Sequence, residues 1–252
     1  MRPPYRPMFF LSGWIAVLTL TLPARVEPER PASSTPVNEV RAATFSIVAY
    51  DPERKEWGVA TASKVLAVGN CVPWAKAGVG AVATQSFVNV SYGPKGLELL
   101  AEGKPVAEVV KLLTEPDRNR ETRQLAVIDK DGNVATYTGK ECIRWAGGKE
   151  GKHFACVGNL LAGDAVVADM GKAFEEAKGP LAWKLLAAME AGEKAGGDKR
   201  GKQSAAVLVV RDGAGANGFG DRYIDLRVDD HQTPIQELAR ILNKSVRRPA
   251  EK

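Results

Sequence analysis

The stretch TFSIVAYDPERKEWGVATAS, residues 44–63, decides the fold that the sequence predicts. Residues 44–50 and 57–62 are rich in β-branched, aromatic and small apolar side chains, which favour strands. Asp51-Pro52-Glu53 is a turn signal between them. We therefore predict an antiparallel hairpin that begins at Thr44. A third apolar stretch, residues 79–85, predicts another strand without an intervening helix.

The spacing of apolar residues changes from a strand period to a helical period after residue 93. Pro94 and Pro105 each suit the first turn of a helix, and both are followed by apolar residues at helical spacing. The later elements that we predict are a hairpin around Lys130-Asp131-Gly132, helices at 164–177 and 180–193, strands at 203–210 and 223–228, and a helix at 234–243. Runs of strands separated by helix pairs favour antiparallel sheets with helices packed outside. We predict an α+β fold, a four-layer α-β-β-α sandwich, with a two-layer α+β domain as the alternative.

The residues before Thr44 have the pattern of an export leader. Arg2 and Arg6 precede an uncharged, mostly apolar run at residues 8–22, which is shorter than the about 20 residues of a membrane span. We predict a signal peptide at 1–24 and an exported protein, periplasmic or secreted, with no stable membrane span after processing. An uncleaved signal anchor is the alternative.

The remaining segments divide the chain further. Residues 25–43 combine prolines with mixed charges and little apolar content, which predicts a flexible linker or propeptide. Residues 44–246 then form a single domain, and 247–252 a basic tail. Whether the domain forms a homo-oligomer is left open.

Composition argues against several classes of function. The formal net charge of +5 falls to +3 for residues 44–252, which is too mild for a nucleic-acid surface, so we predict no nucleic-acid partner. The three cysteines contain no CxxC pair, and we predict no metal site and no other cofactor. An acidic cluster at Asp225, Asp229, Asp230 and His231 is interpreted as a salt-bridged strand end in preference to a hard-cation site.

A threonine at the start of the domain has two interpretations. If processing frees Thr44, its Oγ can attack a carbonyl while its own α-amine accepts the proton. A cut near residue 24 alone would leave that amine acylated, so activity requires a second cleavage between Ala43 and Thr44. In the simpler interpretation, Thr44 only starts a strand.

Several phrases in order resemble a bacterial family known as domain of unknown function 1028. They cover residues 44–51, 57–69, 72–85, 92–100, 195–210 and 225–231. The resemblance implies the four-layer sandwich of the N-terminal nucleophile (Ntn) hydrolase superfamily, with Thr44 as the nucleophile. Family members look like amide hydrolases without an established substrate.

The resemblance also suggests which residues assist Thr44. Relatives that resemble the proteasome use a lysine about thirty positions after the nucleophile, which matches Lys76, and Lys64 is a second candidate. Either cation would favour the uncharged form of the terminal amine. The oxyanion or substrate donors that we expect are Gln85, Ser86 and Asn159, and the expected supporting residues are Asp198 and Ser204.

The function expected from the sequence is hydrolysis of a small amide or related C–N bond. The expected partner is then a small-molecule amide substrate. A non-catalytic periplasmic binding or interaction protein on the same fold is the alternative.

Overall fold

In the described part of the chain, residues 41–42 and 44–248 of a computed structural model, eleven strands form two antiparallel sheets and five helices cover them. The predicted signal peptide, residues 1–24, lies outside the described residues. So do most of the predicted linker, 25–43, and residues 249–252 of the predicted tail.

The larger sheet contains the hairpin predicted at Thr44. Its strands are β2 (Thr44–Asp51), β3 (Glu56–Ser63), β8 (Gly147–Gly151), β9 (Phe154–Gly158), β10 (Ser204–Val210) and β11 (Arg222–Val228). They are ordered β11-β10-β3-β2-β9-β8, so the hairpin occupies the centre of the sheet. Its register places Thr44 opposite Ser63 and Asp51 opposite Glu56.

The smaller sheet is built around β5. Its strands are β1 (Arg41–Ala42), β4 (Pro73–Lys76), β5 (Gly80–Phe87), β6 (Arg123–Asp129) and β7 (Val134–Thr138). Their order is β1-β5-β6-β7, and β4 also pairs with β5. The two residues of β1 thus join this sheet just before the chain enters the other one at Thr44.

Five helices form the outer layers: α1 (Tyr92–Ala101), α2 (Val106–Thr114), α3 (Ala165–Glu176), α4 (Leu181–Lys194) and α5 (Pro234–Ser245). Val82 and Leu125 of the smaller sheet pack with Val109 of α2. Ile47 and Val207 of the larger sheet pack against α3, α4 and α5. A third apolar cluster lies between the two sheets. These three cores separate four layers, which confirms the predicted α-β-β-α sandwich over the two-layer alternative.

The alternation of side chains along β2 determines which of them face the smaller sheet. Phe45, Ile47 and Ala49 belong to the core under the helices, and Val48 belongs to the core between the sheets. Since strand side chains alternate between faces, Thr44 and Ser46 also face the smaller sheet. The hairpin therefore places hydroxyl groups inside the sandwich.

Most of the predicted elements are confirmed, and the differences are short strands. The sequence did not predict β1, β4, β8 or β9, and residues 41–42, which were assigned to the flexible linker, instead form β1 and pair with β5. The segment of β8, GGKEG, carries no apolar side chain because it lies at the edge of its sheet. Among the described residues, no helix combines the length and apolar character that crossing a membrane requires.

Candidate functional site

Thr44 lies at one end of the sandwich among other hydroxyl residues. Its Oγ1 donates to Ser63 Oγ across the hairpin at 3.3 Å. Ser63 in turn pairs with Ser204 on β10, so the three residues lie side by side on the face between the sheets. All three are buried, and Thr44 is fully so. The arrangement fixes the Thr44 hydroxyl in one direction.

Two amide donors hold the backbone of Thr44. Its carbonyl oxygen accepts from Gln85 Nε2 and from the backbone N–H of Asn159, each at 3.1 Å. Gln85 Oε1 lies 2.5 Å from Ser46 Oγ, which lies 2.9 Å from Thr61 Oγ1. Because a hydroxyl carries one proton, Ser46 donates to Gln85 and accepts from Thr61. These bonds connect the first residues of β2 to the smaller sheet.

Gln124 completes the polar network between the sheets. Its Oε1 accepts from Gln85 Nε2 at 2.8 Å and from Asn159 Nδ2 at 3.0 Å. Its Nε2 donates to the carbonyl oxygen of Gly158 at 2.8 Å and to Thr138 Oγ1 at 2.9 Å. Gln85 and Gln124 are fully buried, so these bonds replace all of their contacts with water. A network satisfied in this way holds both sheets in one relative position.

The structure brings all three predicted donor residues to the Thr44 end of the sandwich. Gln85 and the backbone of Asn159 hold the Thr44 carbonyl, which makes them positioning groups. Ser86 is buried, has a φ of 70° and pairs with Ala42 of β1. A positive φ is uncommon for residues other than glycine and is worth attention near a functional site.

Lys64, Asp198 and Ser204 form a second group beside Thr44. Lys64 follows the residue that pairs with Thr44, and its backbone N–H donates to Asp198 Oδ2 at 3.0 Å. Asp198 also forms an ion pair with Arg200 at 2.8 Å. Ser204 Oγ donates to the carbonyl oxygen of Val65 at 2.6 Å. Asp198 and Ser204 therefore shape the loop after Ser63, while the Lys64 ammonium donates to the carbonyl oxygen of Lys202.

Lys76 is not brought to Thr44. It is exposed at the end of β4, where it pairs with Gly80 at the far end of β5. Ser86 lies six positions after Gly80, which is about 20 Å along a strand. The structure therefore gives no support for a contact between the Lys76 ammonium and Thr44.

The acidic cluster and the cysteines lie outside this network. Arg227 forms an ion pair with Asp229 at 2.9 Å, and Arg222 forms one with Asp225, so the strand end is salt-bridged. Within the described ranges, no three His, Cys, Asp or Glu side chains are grouped so as to hold a metal ion. Cys71, Cys142 and Cys156 are thiols. Burial raises the pKa of each thiol, so none is a ready nucleophile near neutral pH.

The sequence matches a known protein family over most of the domain described above. Residues 44–238 match the model of a family described as "Family of unknown function (DUF1028)". The chain belongs to the DUF1028 family. The match begins at the same threonine that begins β2.

Solved structures similar to this chain include another DUF1028 protein. The DUF1028 protein SPO2555 from Silicibacter pomeroyi is 33% identical, with a TM-score of 0.74, over 80% of this chain and 85% of that one. HslV from Trypanosoma brucei is 14% identical with a TM-score of 0.37, over 66% and 98%. Anbu (ancestral beta-subunit) from Yersinia bercovieri is 10% identical with a TM-score of 0.37, over 82% and 99%. A search of curated proteins found no match.

Four residues of the polar network around Thr44 were not predicted from the sequence, namely Ser46, Thr61, Ser63 and Gln124. The signal for the first three was available, because a hairpin that pairs Thr44 with Ser63 also pairs Ser46 with Thr61 on the same face. Gln124 is a polar residue at the start of an apolar strand, QLAVI. Its partner Gln85 lies on another strand, and sequence spacing alone does not show that the two meet.

Proposed function

We propose that this DUF1028 chain is the precursor of an amide hydrolase whose nucleophile is Thr44. The observation that carries the proposal is the Thr44 hydroxyl, which faces the space between the sheets and donates to Ser63 while its backbone is held by Gln85 and Asn159. A nucleophile held in this way attacks with little loss of conformational freedom. The function of the family itself is not established.

The first reaction in this proposal frees the Thr44 amine. Thr44 Oγ bonds to the carbonyl carbon of Ala43, the C–N bond to Thr44 breaks, and the hydroxyl proton ends on the Thr44 nitrogen. Water then hydrolyses the resulting ester, which releases the preceding segment as a carboxylic acid. Thr44 is left with a free hydroxyl and a free α-amine.

Turnover repeats this chemistry on a substrate amide. Thr44 Oγ bonds to the substrate carbonyl carbon, and its proton passes to the α-amine. The substrate C–N bond breaks, and the amine leaves with that proton. Water hydrolyses the ester on Thr44 to give a carboxylic acid and the free enzyme.

Processing of the chain is part of the proposal. We propose that residues 1–24 direct export to the periplasm or exterior and that signal peptidase cuts near residue 24. The second cut, before Thr44, belongs to the protein itself. An exported chain that begins at Thr44 is therefore the expected active form.

One observation favours a non-catalytic binding or interaction protein. Thr44 is fully buried, and β1, which precedes it in the chain, is paired with β5. If the segment before Thr44 is never released, the amine stays acylated and the site stays closed. The same fold would then serve only as a scaffold for binding.

The intact mass and N-terminal sequence of the exported protein distinguish the two functions. For a hydrolase we expect a chain that begins at Thr44, and we expect Thr44→Ala to retain residues 25–43. Thr114→Ala, which removes another buried hydroxyl in α2, is the matched control and should be trimmed like the wild type. A wild-type chain that keeps residues 25–43 would support the binding protein.

A further inference from the structure

The side of β5 that does not pair with β6 is covered by two different strands, β4 and β1. β6 pairs along one side of β5, from Gly80 to Ser86. On the other side β4 pairs with residues 80–83, and β1 pairs with Ser86 and Phe87. The segment before Thr44 therefore contributes a short strand to a sheet that Thr44 itself does not join.

The register of β1 holds this segment in an extended conformation beside the nucleophile. Arg41 lies opposite Phe87, and Ala42 lies opposite Ser86. Because one residue separates Ala42 from Thr44, their Cα atoms are within about 8 Å of each other. Pairing with β5 thus fixes the backbone at Ala42, two positions before Thr44.

Release of β1 would leave main-chain groups of β5 without partners. In an antiparallel pair, opposite residues alternate between those that exchange two N–H···O bonds and those that exchange none. Of the two pairs formed by β1, one therefore carries both bonds. After release, one N–H and one C=O of β5 face outward, and such an edge binds an extended chain by strand addition.

This end of β5 is fixed by contacts that do not involve β1. Arg123 Nη1 donates to the carbonyl oxygen of Phe87 at 2.7 Å. Arg123 Nε bonds to Asp117 Oδ2 at 3.0 Å, and both side chains are largely buried. Thr84 Oγ1 donates to the carbonyl oxygen of Asn89 in the loop that follows. The edge is therefore organised before a substrate arrives, which lowers the cost of binding.

Apolar side chains lie on the loops at the same end of the sandwich. Among the described residues, exposed large apolar side chains include Leu66, Val90 and Ile143, with 65%, 44% and 44% of their surface exposed. Leu66 follows β3, Val90 follows β5, and Ile143 precedes β8. The backbone N–H of Leu160, next to Asn159, donates to the Ile143 carbonyl at 2.8 Å.

We infer that the substrate is a peptide-like amide whose acyl side is an extended chain that takes the place of β1 on Ser86 and Phe87. The inference rests on the proposed function, because it names the acyl half of that substrate. The peptidyl carbonyl carbon gains Thr44 Oγ, the C–N bond breaks, the amine leaves with the proton, and water completes hydrolysis. A short amide without neighbouring peptide groups makes none of the contacts with β5.

The experiment uses the full chain cut in place, so that it does not depend on self-trimming. Val40→Ile, Arg41→Glu, Ala42→Gly and Ala43→Arg introduce a factor Xa site whose cut leaves Thr44 as the first residue. Intact mass confirms the cut and the loss of the preceding segment. A second preparation carries Thr44→Ala as well, so that bound peptides are not consumed.

Binding is measured by fluorescence anisotropy on the cut Thr44→Ala protein. The probe is a labelled peptide with the sequence of residues 38–43, NEVRAA. Two further peptides are N-methylated at the positions of Arg41 or Ala42. Because successive N–H groups of a strand point to opposite sides, one methyl group should weaken binding at least tenfold and the other should leave it unchanged. Equal affinities for all three peptides, or no binding of the unmodified one, would overturn the inference.

Turnover separates this inference from the proposed function. The cut protein with Thr44 intact is given acetyl-Ala 4-nitroanilide and acetyl-Val-Arg-Ala-Ala 4-nitroanilide. We expect kcat/KM to be at least tenfold higher for the longer substrate. Equal hydrolysis of both contradicts strand addition and leaves the hydrolase standing. Selective peptide binding without hydrolysis of either contradicts the hydrolase and leaves the β5 edge as a binding site.

Discussion

At the scale of single residues, the site is a set of hydroxyl and amide side chains buried between two sheets. Thr44 and Ser63 supply the hydroxyl pair, and Gln85 with Gln124 supplies the amide pair. Each of the two glutamines bonds to both sheets, because their partners include β2, β9 and strands of their own sheet. The position of Thr44 and the cohesion of the two sheets therefore depend on the same few groups.

Thr44→Ser is expected to keep self-trimming, because a serine hydroxyl retains the attacking oxygen and the bond to Ser63. The rate should fall by several-fold, since loss of the methyl group frees χ1 rotation in the packed site. The measurement is the time course of intact mass after purification of the precursor. Trimming of Thr44→Ala at the rate of Thr44→Ser would contradict the role of the hydroxyl.

Gln124→Leu is expected to lower the free energy of unfolding by about 2 kcal/mol or more. The change removes the bonds that Gln124 forms with Gln85 Nε2 and with the Gly158 carbonyl, and a buried polar group that loses its partner costs about 1–3 kcal/mol. Gln203→Leu is the control, because Gln203 bonds to Asp230 at the surface and should change stability little. Urea unfolding monitored by tryptophan fluorescence measures both.

The double variant Gln85→Leu/Gln124→Leu tests whether the two side chains act as one network. Each single change leaves the other glutamine without its Gln85–Gln124 bond, whereas the double change removes both partners of that bond. The double variant therefore has fewer buried polar groups that have lost a partner than the two single variants together. We therefore expect the double variant to cost less than the sum of the singles. Additive losses in the same urea experiment would show that the two amides act independently.

At the scale of elements, the parts of the fold that the sequence predicted are those specified by local spacing. The hairpin of β2 and β3 and the helices α1 to α4 each carry their own apolar period and turn residues. β8 and β9 were missed because GGKEG has no strand pattern and FACVG is too short to distinguish from a helical segment. Their identity depends on pairing with β2, which is a tertiary property.

Strand direction also explains which predicted site residues meet. Gln85 and Lys76 are close in sequence, but they lie near opposite ends of β5 because β4 runs antiparallel to it. Asn159 reaches Thr44 because β9 runs antiparallel to β2 and ends beside its start. The register of paired strands determines that Asn159 contacts Thr44 and that Lys76 does not. Spacing along the sequence does not give this register.

Proline substitutions in β1 test whether its pairing assists self-trimming. Arg41→Pro and Ala42→Pro each remove one backbone N–H, and only one of these groups faces β5. We expect one variant to be trimmed at least tenfold more slowly than the other. Intact mass of the precursor over time provides the comparison. Equal trimming of the two variants would show that β1 pairing does not align the bond before Thr44.

At the scale of the whole molecule, Asp117 connects an outer layer to the smaller sheet. It follows α2 and bonds to Asn89, Tyr92 and Arg123, which belong to the loop after β5, to α1 and to β6. Burial alone would raise the pKa of Asp117. The hydrogen bonds from the Asn119 backbone and from these three side chains outweigh burial and lower the pKa to about 2.

The lowered pKa predicts how stability depends on pH. A carboxyl whose pKa falls on folding contributes its stability fully above its unfolded pKa, about 4, and loses it as the pH drops towards 2. Asp117→Asn should therefore lower the free energy of unfolding by about 2 kcal/mol at pH 7. This difference from the wild type should shrink between pH 4 and pH 2. Asp131→Asn, which removes a carboxylate at an exposed turn, is the control and should change the free energy of unfolding little at pH 7 in urea titrations.

The short strand before Thr44 would make the proposed maturation depend on complete folding. Arg41 and Ala42 need the edge of one sheet, whereas Thr44 needs Ser63 and Asn159 in the other. In the proposed maturation, both sets of contacts form before the Thr44 hydroxyl attacks, so trimming follows assembly of both sheets. On the proposed function, loss of the leader would then act as a checkpoint, so that the N-terminus of each secreted molecule records whether that molecule reached its native state.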